Sequence, residues 1–349
     1  MSDQQPALVG ASVTPATAAL DLSLVDEHLD ARLRAGLAEV EATLRAAVRQ
    51  TDPLADDASR HLVSAGGKRV RPMLALLAAH LGDPDRREIL DAATVVELTH
   101  LATLYHDDVM DSAPMRRGAP AAHEVWGNTV AILTGDLLFA RASTIVAGLG
   151  PEAVRIQAET FERLCLGQLH ETIGPRDGED PVAHYIQVLA DKTGSLIATS
   201  ARFGAMFAGC GPDVLDVLVA YGERVGVAFQ LADDVIDLMS DGATSGKTPG
   251  TDLREGVPTL PTLLVRRHAA EHGDAASLRL VELLDGDLSG DAELAETVAL
   301  LRDHPATGLA RSEAARWAQE AVDALAPLPE GSATSALRAF AAAVVARTA

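Results

Sequence analysis

Two aspartate clusters carry the clearest chemical pattern in the sequence. The segments DDVMD (107–111) and DDVID (233–237) share the pattern Asp-Asp-x-x-Asp, and each follows an apolar run. On an α-helix, residues four apart project from the same face, so each cluster presents two carboxylates side by side. Like charges at this spacing repel, and a divalent cation removes the repulsion. One such cluster could be a solvated acidic patch, but two copies on apolar helices favour a pair of magnesium sites.

Each cluster has a polar residue lower on the same helix face. His100 precedes Asp107 by seven residues, and Gln230 precedes Asp237 by seven. Seven residues are about two helical turns, so these side chains align with the carboxylates. A purely structural role remains the alternative for His100.

Positive charge is concentrated near the acidic clusters. The segment GGKRVRP (66–72) places three cations at a predicted helix start, and MRRG (115–118) follows the first cluster closely. The chain has 26 arginines but only three lysines, at positions 68, 192 and 247. A helix N-terminus favours anions, and a lysine ammonium binds phosphate as a point charge. Cations beside carboxylates that bind Mg²⁺ predict a site for diphosphates.

Two other motif fragments do not carry function. SGKT (245–248) resembles the end of a nucleotide-binding P-loop, but position 241 is Asp where that motif requires Gly, and no strand precedes it. His123-Glu124 and His170-Glu171 each lack the second histidine of a zinc protease motif.

Composition excludes several classes of protein. The chain has 349 residues, 48% of them hydrophobic and 23% charged, with a formal net charge of −21. Such a chain can bury a large core, and its acidity argues against binding nucleic acid. Its two cysteines, Cys165 and Cys210, exclude a disulfide scaffold. No apolar stretch is long enough to span a membrane and the N-terminus does not resemble a signal peptide, so a cytoplasmic location is expected.

The elements that position these residues are predicted to be helices. Ala and Leu dominate from residue 21 onward, strand-like alternation is rare, and Gly, Pro and Asp recur at helix-length intervals. We therefore predict a flexible tail over 1–20 and a single all-α domain over 21–349, with a long loop over 240–256. The expected helices lie near 21–50, 54–65, 71–81, 86–111, 128–149, 151–173, 180–190, 193–209, 213–239, 257–271, 275–285, 290–303, 308–326 and 332–347.

These motifs together resemble the trans-isoprenyl diphosphate synthases, which form the polyprenyl synthetase family. Besides the segments above, the resemblance includes THLATLYHDDVMD (99–111), GNTVAILTGDLLFARA (127–142), DKTGSL (191–196) and FQLADDVIDLMSDGATSGKTPGTDLREGVPTLP (229–261). It implies an all-helical isoprenoid synthase bundle around a deep central cavity, usually a homodimer, that uses three Mg²⁺. One departure is Val257, where some relatives have Lys.

The resemblance also implies roles for individual residues. Asp107 and Asp111, with Asp108 beside them, bind two Mg²⁺ that clamp the allylic diphosphate, and Asp233 binds the third with support from Asp234 and Asp237. The allylic diphosphate is contacted by Arg116, Lys192 and Lys247. Isopentenyl diphosphate is held by Lys68, Arg71, His100 and Arg117. Thr193 and Gln230 lie along the reacting carbons.

The implied reaction joins isopentenyl diphosphate to an allylic diphosphate by ionisation, condensation and elimination. The growing chain should extend from the aspartates toward the N-terminus of their helix. Thr103 lies one turn below Asp107, about 6 Å away, and Ala102 is beside it. Both are small where short-chain relatives have an aromatic residue, so we expect a long product of six or more isoprene units. The alternative is that a bulky residue on another helix closes the cavity.

Three other functions compete with the long-chain synthase. A short-chain synthase, making geranylgeranyl or farnesyl diphosphate, is the first alternative. A class I terpene cyclase usually lacks the second intact aspartate cluster, and a non-catalytic regulatory subunit tends to lose such clusters. Membrane contact is expected to be peripheral at most, for product release.

Overall fold

The computed structural model describes residues 26–239 and 249–346. The predicted tail and Lys247 lie outside this part of the chain. The helices are α1 (Glu27–Ala47), α2 (Pro53–Ser64), α3 (Val70–Ala79), α4 (Glu88–Met110), α5 (Ala122–Trp126), α6 (Asn128–Gly148), α7 (Pro151–Ile173), α8 (Pro181–Leu189), α9 (Ser195–Phe207), α10 (Pro212–Met239), α11 (Thr251–Arg254), α12 (Leu260–His272), α13 (Ala275–Leu284), α14 (Asp291–Asp303), α15 (Pro305–Ala324) and α16 (Ser332–Ala346). A π-helical turn, Ala190–Gly194, joins α8 to α9.

The all-α prediction is confirmed, with one small exception. Two-residue strands, β1 (Met115–Arg116) and β2 (Ala119–Pro120), form a hairpin after α4. Its turn residues Arg117 and Gly118 have φ of 54° and 77°, as in the type I′ turns that suit hairpins. Strands this short leave no alternation for sequence reasoning to detect.

Helix α4 lies at the centre of the main core and ends at the first aspartate cluster. Most of its residues are buried, because it packs against α1, α3, α6 and α9. A helix that is apolar on all sides is expected in such a position. Close packing extends to α9, where a β-carbon on Gly204 would lie 1.9 Å from the carbonyl oxygen of Ala75. The motif helices are therefore held by tightly packed neighbours.

A second, smaller core lies under α11 to α15. Beside it, His304 caps α15: its Nδ1 accepts from the Ala306 N–H at 3.1 Å, which leaves the proton on Nε2, 3.0 Å from Ser277 Oγ. The ring centroid of His268 is 5.3 Å away, and Asp274 accepts from Ser277. Burial, then the His268 charge, lowers the pKa of His304, and Asp274 opposes this.

This lowered pKa predicts a contribution to acid sensitivity. The unfolded chain takes up the His304 proton more readily than the folded chain, so the free energy of unfolding decreases as pH falls through 6.5. His304→Asn retains a capping oxygen but does not titrate. We expect the melting-temperature advantage of the wild type over this variant to shrink by about 2 °C between about pH 7.5 and pH 5.5. An advantage that is constant or grows in acid would contradict the assignment.

Candidate active site

The first aspartate cluster lies at the end of α4, and the region that it shares with Lys192, Arg116 and Glu171 is called the cleft below. Asp107 is half-buried in the last turn, and Asp111 is the exposed C-cap. Burial raises the pKa of Asp107 to about 6; Asp111 and Glu171 add to the shift, whereas Lys192 and Arg116 oppose it. The arrangement favours binding of a cation, which would relieve the repulsion among these carboxylates.

Asp108, the second aspartate of the cluster and a predicted metal ligand, lies in a different environment from Asp107. It is fully buried, and its Oδ1 accepts from Arg116 Nε at 2.5 Å. Burial raises the pKa of Asp108, and Arg116 opposes that shift. The pair fixes the β1–β2 hairpin to α4. Arg116, predicted to contact the allylic diphosphate, therefore holds Asp108 in this structure.

The second cluster, on α10, likewise has half-buried aspartates on one helix face and a buried aspartate on another. Gln230, Asp233 and Asp237 are half-buried on one face, as the helical period predicts. Asp237 accepts from the backbone N–H groups of Thr251 and Asp252 at 3.3 and 3.4 Å, which fixes the start of α11.

Asp234, which is also predicted to support the metal, is buried and hydrogen-bonded to two other elements. The Tyr185 hydroxyl donates to its Oδ2 at 2.7 Å, and the Leu260 N–H donates to the same oxygen at 3.2 Å. Burial raises the pKa of Asp234 to about 8, although both hydrogen bonds lower it. Asp234 therefore joins α8, α10 and α12.

Glu255, just after α11, is close enough to both clusters for their charges to act on it. Burial raises the pKa of Glu255, and the charges of Asp111 and Asp237 raise it further while Arg116 opposes them. One carboxylate thus lies within electrostatic range of both clusters. The aspartate-bearing ends of α4 and α10 are therefore neighbours in the fold.

The cationic end of the cleft is formed by the loop before α3. Lys68 is exposed, whereas Arg71 lies in the first turn of α3 with its Nε buried and unpartnered among the described residues. Burial lowers the pKa of Arg71 to about 10. Burial, then the charges of Arg71 and Arg117, lowers the pKa of His100 well below its usual value. Arg71 has an unused donor for an anion, and His100 is a neutral hydrogen-bonding group at pH 7.

Arg117, which is predicted to bind isopentenyl diphosphate, supports this loop in the structure. Its guanidinium donates to the carbonyl oxygens of Leu62 and Gly66. The I′ turn of the hairpin directs Arg117 toward α2, while Arg116 remains on the strand. A role in substrate binding would add to this structural role.

Lys192 extends from the π-helical turn and forms an ion pair with Glu171 of α7. Arg163 holds the turn by donating to Asp191 Oδ1 at 2.8 Å and to Glu223 at 2.6 Å. Thr193, predicted to lie along the reacting carbons, is 8% exposed. π-Turns are frequent at functional sites, and this one places Lys192 near Asp107.

Comparison with known proteins identifies the family. The polyprenyl synthetase profile matches residues 52–301. The chain is 47% identical to nonaprenyl diphosphate synthase of Mycobacterium tuberculosis, over 94% of this chain and 97% of that protein. The chain belongs to the polyprenyl synthetase family. The predicted family and the predicted prenyl-transferring class of enzyme are therefore confirmed.

Solved structures of family members agree with the fold. The crystal structure of geranylgeranyl pyrophosphate synthase from Corynebacterium glutamicum, complexed with calcium and isoprenyl diphosphate, has a TM-score of 0.82 and 41% identity, covering 93% of this chain and 98% of that one. A decaprenyl diphosphate synthase from Rhodobacter capsulatus has a TM-score of 0.82 and 32% identity, covering 93% and 99%.

The aspartates of this polyprenyl synthetase suit a metal ion that takes only some of its ligands from the protein and the others from substrate phosphates and water. In the described ranges, no three His, Cys, Asp or Glu side chains are grouped closely enough to hold an ion. Mg²⁺ typically takes one or two carboxylates and completes its octahedron with water and phosphate oxygens. The pairs Asp107/Asp111 and Asp233/Asp237 offer that donor set.

The two residues predicted to form the chain-length floor are in different environments. Thr103 is half-buried, and its hydroxyl donates to the His100 carbonyl oxygen at 2.8 Å. Ala102 is 1% exposed and belongs to the main core. Ala102 is therefore packed in the core, and Thr103 is the more exposed of the two predicted floor residues.

An aromatic pair on α6 and α7 lies about as far along the helix bundle as Thr103. The rings of Phe139 on α6 and Phe161 on α7 stack with centroids 3.8 Å apart. Gln157 of α7 contacts Thr99 of α4 at 3.4 Å, and Phe161 and Thr103 each lie one turn farther along their helices. This aromatic pair is therefore our candidate for the bulky residues on other helices that could limit product length in place of Thr103.

Sequence reasoning missed several residues of the site. Glu171 was set aside as part of a failed zinc motif, and Glu255 lies within the quoted 229–261 segment but was given no role. Tyr185 and Arg163 touch the site only through tertiary contacts. One indication of Glu171 was present in the sequence, where it lies one helical turn after Gly167. In the structure Gly167 packs against the π-helical turn, since a β-carbon on Gly167 would lie 2.8 Å from the backbone nitrogen of Lys192.

Proposed function

We propose that this chain is a long-chain, all-trans polyprenyl diphosphate synthase. It condenses isopentenyl diphosphate repeatedly with an allylic diphosphate, releases diphosphate, and reaches six or more isoprene units. The observation that carries the proposal is that the charges of Asp111 and Asp237, one from each aspartate cluster, both act on Glu255, while the charge of Lys192 acts on Asp107. The names of two relatives, nonaprenyl and decaprenyl diphosphate synthase, support the product length.

The cleft has one region for each substrate. Asp107, Asp111 and Asp233 would hold Mg²⁺, which makes the allylic diphosphate a better leaving group by stabilising the charge that develops on it. The calcium and isoprenyl diphosphate bound in the Corynebacterium relative support a divalent cation here, and we propose Mg²⁺, three per site. Lys192 and Lys247 contact the same diphosphate. Lys68, Arg71 and His100 bind isopentenyl diphosphate.

The chain's own groups then guide the carbocation. Bond cleavage in the allylic diphosphate leaves an allylic cation, which the apolar surroundings protect from water. The hydroxyl of Thr193 and the amide oxygen of Gln230 stabilise positive charge along the reacting carbons. The double bond of isopentenyl diphosphate attacks, and the departing diphosphate accepts the proton that restores a double bond.

Release of diphosphate tests this reaction. The purified full chain with Mg²⁺ should release diphosphate only when isopentenyl diphosphate and an allylic primer are both present. Release from the allylic substrate alone would favour a terpene cyclase. No release under any combination would favour a regulatory subunit.

Metal binding should depend on diphosphate. Because each cluster supplies only two carboxylates to the cleft, we expect Mg²⁺ alone to bind weakly, with a Kd of about 1 mM or above. Inorganic pyrophosphate should tighten binding at least about tenfold, since it supplies the missing oxygens. Calorimetry with and without pyrophosphate measures this. Equally tight binding without pyrophosphate would contradict the shared-ligand site.

We further propose that the enzyme is a homodimer formed through α6. The expectation from the sequence that no apolar stretch could span a membrane does not hold for α6, which alone among the described helices is long and apolar enough by length and composition. Only 33% of that window is buried. Ile132, Leu133 and Leu137 are 42%, 56% and 40% exposed. A second copy packed on this face would bury them. Peripheral membrane contact and a cytoplasmic location remain proposals from the sequence.

A charge on this face should separate the protomers. We expect Leu133→Glu to convert a dimer into monomers, because it buries an unpaired carboxylate at the interface. Sedimentation velocity measures the change. Leu309→Glu on α15 is the matched control, since Leu309 is 57% exposed. A wild-type monomer, or a dimer that survives Leu133→Glu, would overturn the α6 interface.

A further inference from the structure

The loop that carries Lys68 and Arg71 has a backbone that requires support. Gly66, Gly67 and Arg69 have φ of 86°, 143° and 50°. The left-handed conformation is unfavourable for Arg69 because its β-carbon crowds the backbone. Such a conformation persists only where the surroundings hold it.

The Arg69 side chain supplies much of that support. It is 8% exposed and donates to four oxygens: Glu97 Oε1 and Glu41 Oε2, each at 2.9 Å, and the carbonyl oxygens of Gly66 at 3.2 Å and Val63 at 3.3 Å. These bonds connect the loop to α1, α2 and α4. Of the two carboxylates, that of Glu41 is 24% exposed and that of Glu97 only 2%.

Glu97 is also next to the second guanidinium that holds the loop. Arg117 Nη2 is 3.9 Å from Glu97 Oε1, and Arg117 donates to the carbonyl oxygen of Gly66. The packing is close, because a β-carbon on Gly67 would lie 2.7 Å from Arg117 Cζ. A single buried carboxylate on α4 therefore anchors both arginines.

The charge of Glu97 acts on Arg71 as well. Burial lowers the pKa of Arg71 and of Arg117, and in both cases Glu97 opposes the shift. For Arg69, burial alone would lower the pKa, but Glu97 and Glu41 outweigh it. Without the charge at position 97, three guanidinium groups would repel one another with less compensation.

We propose that Glu97 is a positioning residue for the isopentenyl diphosphate end of the cleft. Through Arg69 and Arg117 it holds the 66–71 loop so that Lys68 and Arg71 meet the diphosphate together. It does not touch the substrate, and Asp107 and Lys192 at the allylic end do not depend on it. The inference rests on the proposed function.

The test measures isopentenyl diphosphate binding separately from turnover. Calorimetry on the full chain, without metal or primer, gives its Kd for wild type and Glu97→Gln. We expect the variant to bind about tenfold more weakly, because the loss of one charge-assisted anchor loosens the loop. The KM for isopentenyl diphosphate should rise equally, whereas the KM for farnesyl diphosphate should stay within about twofold.

Two further variants separate positioning from general stability. Glu97→Asp retains the charge, so we expect binding within about threefold of wild type. If Glu97→Gln fails to fold by circular dichroism, Arg69→Lys takes its place: it keeps the positive charge but cannot reach both carboxylates, and the same tenfold loss is expected.

The outcomes are distinguishable from a failure of the proposed function. A wild-type chain that does not bind isopentenyl diphosphate would refute that function itself. Wild-type binding that Glu97→Gln leaves unchanged would overturn the role of Glu97. The role of Glu97 would also be overturned if Glu97→Gln raised the KM values for isopentenyl and farnesyl diphosphate equally and Glu97→Asp did not restore them. That result would show a general structural role.

Discussion

Asp107→Asn is expected to lower kcat/KM for the allylic diphosphate by about a thousandfold or more. The substitution keeps the size of the side chain but removes the negative charge that binds metal and, through it, the leaving group. Stabilisation of developing charge is commonly worth several kcal/mol, and each 1.4 kcal/mol is a factor of ten in rate. Steady-state kinetics at saturating isopentenyl diphosphate measure the loss.

The control is Asp91→Asn, in the first turn of the same helix and more than four turns from the cluster. It should retain activity within about twofold. Melting temperatures of both variants should stay near wild type, because the Asp107 pKa of about 6 shows that burial already disfavours its charge. Near-wild-type turnover by Asp107→Asn would remove the metal clamp from the mechanism.

Thr103→Phe is expected to shorten the product from six or more isoprene units to about four or fewer. The side chain is half-buried one turn below Asp107, roughly 6 Å away, so an aromatic ring there would block the path of the growing chain. Chromatography of the dephosphorylated products measures chain length. Initial condensation should persist, because the substitution leaves the diphosphate ligands in place.

Two comparisons make this result specific. Thr43→Phe on α1 is the control, because Thr43 makes the same kind of hydroxyl-to-carbonyl bond within its helix at 2.9 Å. Ala102→Phe should instead destabilise the protein, since Ala102 lies in the packed core. If Thr103→Phe left the product unchanged while Phe161→Ala lengthened it, the floor would be the Phe139–Phe161 pair.

The features that follow from helical periodicity could be predicted from the sequence. Spacing alone aligned His100 with Asp107 and Gln230 with Asp237, and the structure keeps each set on a common face. The π-helical turn was not predicted from local spacing, and in the structure Arg163 of another helix donates to Asp191 within it.

The contacts between elements could not be predicted in the same way. Asp107 and Asp108 are neighbours of identical type, yet one faces the cleft and the other is bound to Arg116. That difference depends on the I′ hairpin, which directs Arg116 and Arg117 to different partners. Glu97 likewise belongs to no recognisable motif. Its role becomes visible only in the structure, where Arg69 has a left-handed backbone and its guanidinium donates to Glu97 on α4.

The site therefore combines two kinds of residue. Those that face the cleft are recognisable from local patterns of charge, because their chemistry sets their spacing. Those that hold them are buried polar groups whose partners are distant in sequence: Asp108, Asp234 and Glu97 each pair with residues of another element. Unpaired, such groups would destabilise the fold, so they are expected to be sensitive to substitution.

Product sizing tests the central claim most directly. The purified chain is incubated with Mg²⁺, labelled isopentenyl diphosphate and primers of several lengths, and the dephosphorylated products are separated by chain length. We predict labelled all-trans products of six or more units, and no product when the metal is chelated. Products that stop at four units would make this a short-chain synthase, and no incorporation of label with any primer would contradict the account.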